Sequence, residues 1–72
     1  MEFEDDAFVL AARSHGDTGA VVDLLTSQHG RRMTYVPGGA SRKMKPHLQP
    51  GSRVRVAFRA RDDSQLDSAR LE

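Results

Sequence analysis

A chain of 72 residues with no cysteine and a formal charge of +1 forms one small domain, with too little interior for a large dry active site and no thiols for disulfides or a thiolate zinc cluster. The longest apolar run, Phe8 to Ala12, is far short of the roughly 20 residues a membrane span needs, and the opening MEFEDDAFVLAA has no positive n-region, so a soluble cytoplasmic protein is expected. The near-neutral total hides a segregated chain, because nine of the eleven Lys and Arg residues lie between Gly30 and Arg61, a stretch with no Asp or Glu. Polarisation of this kind determines what a surface attracts, and phosphate is the leading candidate.

In chain order, Ala7 to Ala12 is an apolar run with the Phe, Val and Leu content of a strand buried on both faces. Arg13 to Gly19 contains Gly16, Asp17 and Gly19 and predicts a reversal. Ala20 to Thr26 predicts a second strand, with a short helix as the competing reading, since AVVDLL also fits a helical face but is confined between turn signals. Arg31 to Val36 predicts a third strand, closed by Pro37, which cannot donate to a ladder, and by Gly38 and Gly39. Ala40 to Gln49 lacks alternation and reads as a connection, with one helical turn starting at Ser41 as N-cap and ended by Pro46. Pro50 and Gly51 fit a type II turn.

The clearest local pattern is Arg53 to Arg61. Val54, Val56, Phe58 and Ala60 alternate with Arg53, Arg55, Arg59 and Arg61, and a period of two places these sets on opposite faces of a fourth strand. Asp62 and Asp63 predict a turn, and Leu66 to Leu71 a fifth strand with Ala69 and Leu71 inward. Five short strands with a longer connection between the third and fourth match an all-β architecture, the five-stranded Greek-key barrel of the OB-fold, which commonly binds nucleic acid. A small SH3-like barrel has a similar signature.

The candidate nucleic-acid contacts are Arg31, Arg32, Arg42, Lys43, Lys45, Arg53, Arg55, Arg59 and Arg61. Arg offers planar forks that match phosphate oxygens, and Lys offers point charge on a mobile stem. Tyr35 is the aromatic candidate for base stacking, against the alternative of a residue at the core rim. Phe58 and Phe8 are expected in the core, and Phe3 is undecided. Gly38 and Gly39 read as a turn, since the Walker pattern is absent. His15, His29 and His47 fall in three different loops without ligand spacing, and each is expected to be an exposed histidine, so no metal or cofactor is expected. Ser14, His15 and Asp17 have the residue types of a triad but lie too close in one loop for its geometry, and no catalytic residue is expected.

The two segments AFVLAARSHGDTGAVVDLLTSQHGRR and VPGGASRKMKPHLQPGSRVRVAFRAR resemble the N-terminal domain of the bacterial RecO DNA repair proteins. The likeness is carried by an apolar strand with Arg13, the HGD turn at His15 to Asp17, a second strand ending in TSQHG, the GGAS turn and the LQPG turn at Leu48 to Gly51. Pro37 departs from the family pattern, standing where a basic residue is expected. The resemblance implies an OB-fold at the start of a longer protein with a helical C-terminal domain, in the bacterial cytoplasm and nucleoid. It also implies binding of single- and double-stranded DNA, strand annealing, loading of RecA with the partner RecR, and no catalytic residues. The alternatives are a protein-interaction module whose basic face docks an acidic partner such as RecR, and an RNA-binding OB barrel.

Overall fold

The computed structural model describes residues 2–59 and 67–72. Its strands are β1 (Glu2–His15), β2 (Gly19–Thr26), β3 (Arg31–Val36), β4 (Arg53–Arg59) and β5 (Asp67–Leu71), with a 3₁₀ helix at Lys45–Leu48. They close into a barrel in the order β1-β2-β3-β5-β4, with β3 and β5 parallel and every other pairing antiparallel. This is the expected OB-type architecture.

Strand β1 holds the barrel together because it serves two neighbours. Residues 2–8 pair with β4 and residues 7–15 with β2, and the register with β2 shifts between Val9 and Ala11. An extra residue at such a point bends a strand, which lets one strand follow the barrel wall. The expected strand, Ala7 to Ala12, was therefore too short at both ends. The acidic Glu2–Asp6 segment lies opposite the basic β4, a pairing that local apolar patterning does not register. Nor is β1 buried on both faces: Ala7 and Val9 are buried while Phe8 and Leu10 are exposed, so Phe8 is not a core residue.

The inward-facing set follows a period of two along β4, whereas β2 is buried on both faces from Gly19 to Leu24. Val9, Val22, Leu24, Val36, Val56 and Phe58 meet inside, each worth about 1.5–3 kcal/mol for the larger side chains removed from water. Phe3 is half-buried and its ring stacks on Phe58 at 4.8 Å. Leu48, carried by the 3₁₀ helix, is the only core residue contributed by the β3–β4 connection among the described residues. That anchor places the rest of the helix outside the barrel, where Lys45 and His47 are exposed.

The connection differs in detail from the expected single turn. The Ser41 hydroxyl accepts the Met44 amide at 3.2 Å, as a cap does, but the 3₁₀ helix begins later and contains Pro46 in its first turn. Proline is tolerated there because the amide it lacks has no partner at a helix start, so Pro46 opens the helix rather than ending it. The turn after it is as expected: the Ser52 amide donates to Gln49 O at 2.9 Å, and Gly51 has φ +90°, open to glycine without strain. In β5, Ala69 is buried and Leu71 half-buried. The inward placement of Ala60, the Asp62–Asp63 turn and the Leu66 strand start lie outside the described residues.

Candidate nucleic-acid interface

Antiparallel pairing of β1 with β4 sets Glu2 opposite Arg59, Asp6 opposite Arg55 and Phe8 opposite Arg53. The arginine row therefore meets acids from the far end of the sequence. Arg53 lies 3.6 Å from Asp6, Arg55 lies 3.3 Å from Asp6 and 3.8 Å from Glu4, and Arg59 lies 3.7 Å from Glu2. This outer face carries three cations and three anions. A hydrogen bond with Glu4, together with its charge, raises the nearby Glu72 carboxyl above the ordinary range, a further mark of crowded acid on this side. The pairs are long and largely exposed, so each holds loosely and contributes about 0–1 kcal/mol.

Arg31 and Arg32 are engaged more tightly. The Arg31 guanidinium forks onto Asp23, with Nε donating to Oδ1 at 2.9 Å and Nη2 to Oδ2. That hydrogen-bonded charge holds the Asp23 carboxyl below its usual range and raises Arg31 above its own. Arg32 Nη1 donates to Asp67 at 2.8 Å, while its guanidinium lies 5.3 Å from the Phe3 ring centre. Asp67 also opposes Thr34 in the β3–β5 pairing, which has two residue pairs among the described residues. Arg32 thus clasps β3 to β5, a structural task.

Arg42, Lys43 and Lys45 have a different setting. All three are exposed on the β3–β4 connection, and none has a carboxylate within 4 Å among the described residues. Arg61 lies outside the described residues. Tyr35 is half-buried and lies against the backbone of Gly19, where a Cβ would come within 2.3 Å of the phenol oxygen, so a larger residue there would displace the ring. His15 meets it edge-on at 5.8 Å. Tyr35 is thus a rim residue with a packing partner, and the structure brings it to the turn between β1 and β2.

Arg13 was not among the expected contacts, and it shares the setting of the connection cations. It is exposed on β1, opposite Val21, which in turn opposes Tyr35, and it has no acid within 4 Å among the described residues. Its isolation in an acidic sequence segment concealed it. The only local hint was its place just before the Gly16 turn.

One histidine departs from expectation. His29 is half-buried, its Nδ1 lies 2.9 Å from Asp5 Oδ2, and its ring stacks on Phe3 at 4.0 Å. Asp5 is 5 % exposed and also accepts the Gln28 and Asp6 amides at 2.8 Å. The hydrogen bond from His29, aided by the two amides, holds the Asp5 carboxyl below its usual range against the opposing effect of burial. This cluster fastens the β2–β3 turn to β1.

The sequence matches the family model described as Recombination protein O N terminal over residues 1–71. It is 67% identical over 72 residues to the DNA repair protein RecO of Phenylobacterium zucineum, covering all of this chain and 30% of that protein. It is 60% identical to the DNA repair protein RecO of Caulobacter vibrioides, again over all of this chain and 30% of the relative. Against that of Methylobacterium nodulans the identity is 49%, over all of this chain and 29% of the relative. The chain spans less than a third of the length of these relatives.

Proposed function

This chain belongs to the recombination protein O N-terminal family, and from that premise we propose that it is a non-enzymatic DNA-binding barrel of the bacterial cytoplasm that acts in recombinational DNA repair. It holds the sugar-phosphate backbone with little regard to sequence. The observation that supports this reading is the group of exposed cations Arg42, Lys43 and Lys45, free of internal carboxylates among the described residues. Polyanion binding needs charge that is available, and these side chains give up no ion pair to make a contact. Arg53, Arg55 and Arg59 serve as secondary contacts, each exchanging a loose carboxylate for a phosphate, while the sequence candidate Arg61 lies outside the described residues. Arg31 and Arg32 serve the fold. Tyr35 offers one ring to an unstacked base at the β1–β2 turn.

Strand annealing and the loading of RecA with RecR belong to the whole protein, to which this domain contributes its DNA grip. The test is the salt dependence of binding to oligothymidylate. If about four phosphates are neutralised, log affinity falls with log salt at a slope near −3. A flat response removes the reading.

A second reading, a protein-docking module, rests on an apolar patch that adjoins the arginines, since Phe8 pairs with Arg53 and Leu25 with Arg31. Phe8 and Leu25 oppose each other across β1 and β2 and are 49% and 46% exposed, with Leu10 and Met33 also exposed. Apolar side chains of this size suit a protein partner such as RecR better than phosphate. Charge reversal on the connection would leave such docking intact, whereas Phe8→Ser with Leu25→Ser would abolish it.

A further inference from the structure

The pairing of β1 with β4 ends at Phe8, and Val9 closes the run by bonding Ser52 O and the Gly51 amide at 2.8 and 2.7 Å. Beyond it, among the described residues, no backbone hydrogen bond joins residues 10–15 to the β3–β4 connection. The strand therefore keeps an open edge, with peptide groups of alternate residues unpaired on that side. Between this edge and the 3₁₀ helix lies a cleft of about 230 Å³, lined on one side by Ala12, Arg13 and Ser14 and on the other by Lys45, Leu48 and Gln49. Arg13 and Lys45 are the only charged groups in its wall, and they come from elements more than thirty positions apart in the chain.

We propose that this cleft is an oxyanion seat that takes one phosphodiester group of a bound nucleic-acid strand. The inference rests on the DNA-binding reading above and gives it a fixed point. Three observations lead to it. The volume is below the roughly 300–1,000 Å³ of sites for drug-sized molecules, which favours a small group. Both charges are cationic and neither has an internal carboxylate partner among the described residues. The open strand edge adds backbone donors, which fix the position of an anion where two flexible cations alone would only attract it. Arg42 and Lys43 lie outside the wall and draw in the neighbouring phosphates without a fixed position.

The test pairs two titrations followed by NMR, one with inorganic phosphate and one with oligothymidylate, on the chain and on Arg13→Gln and Lys45→Gln. Inorganic phosphate should saturably shift the amides of residues 13–15 and 45–49, and either substitution should remove those shifts. Arg13→Gln should weaken oligothymidylate binding about fivefold and lower the salt slope by about 0.7, the share of one single-strand phosphate. Phosphate shifts that are absent or scattered over the other cations overturn the seat even if DNA binds. Oligothymidylate binding that is unchanged in Arg13→Gln does the same and leaves the DNA-binding reading standing. Phosphate binding in the cleft without any oligothymidylate binding overturns the DNA-binding reading, and the phosphodiester assignment with it.

Discussion

Strand β4 and the β3–β4 connection each carry three arginines or lysines among the described residues, yet they end in opposite electrostatic settings. Arg53, Arg55 and Arg59 sit across from Glu2, Glu4 and Asp6, and each lies within 4 Å of an acid. Arg42, Lys43 and Lys45 stand on a segment that is paired with no strand among the described residues, so no ladder brings acid to them. Pairing into a sheet is what neutralises charge here. Local charge density measured along the sequence overstates the attraction of a strand and understates that of a loop.

The most forceful way to break the comparison is to neutralise each group separately. Arg42→Gln, Lys43→Gln and Lys45→Gln together should lower affinity for oligothymidylate by about 100-fold at low salt and reduce the salt slope by about 2. The matching triple at Arg53, Arg55 and Arg59 should cost about threefold, because each removed cation also frees an acid that had partly cancelled it. Equal losses, measured by fluorescence anisotropy, would show that the β4 ion pairs open fully on binding.

Reversing one β4 charge sharpens the same point in stability. Arg55→Glu sets a third acid between Glu4 and Asp6 and should destabilise the fold by about 1 kcal/mol, read as a fall of about 4–8 °C in Tm. Lys43→Glu, with no acid nearby among the described residues, should leave Tm within about 2 °C. If both variants melt alike, the β1–β4 charge ladder is not a feature of the fold in solution.

The smallest effect concerns acid. Asp5 and Asp23 are each held below the usual carboxylate range, by His29 and Arg31 respectively. A carboxyl depressed in the native state adds stability that is complete above its unfolded value near 4 and is lost as pH falls through the lower native value. Urea midpoints should therefore decline between about pH 5 and pH 2, and less steeply in Asp5→Asn and Asp23→Asn. An unchanged slope in both variants would detach these contacts from the acid response.

Much of the fold was legible in the sequence because its signals are local. The alternation from Arg53 onward and the Pro50–Gly51 turn each specify a conformation from a few adjacent residues, and the apolar run of β2, which also fits a helical face, is held to a strand by the turn signals on either side. Strand β1 was read too short because Glu2 to Asp6 becomes strand through its partner, and a run of acids carries no period-two apolar signal. Phe8 was misplaced for a related reason: an uninterrupted apolar run does not say which faces are covered, and here the barrel wall covers only one. The candidate site was legible by composition and not by arrangement. Which arginines meet carboxylates depends on a register spanning about fifty residues, and Arg13 joins Lys45 only once β1 has been bent past β4.

On the proposed reading, the cations free of internal acid provide the DNA contact. An NMR titration of the chain with oligothymidylate tests it most directly. The largest amide shifts should fall on residues 13–15 and 40–49, with smaller ones along Arg53–Arg59. Shifts concentrated on β4 with the connection unmoved would contradict it.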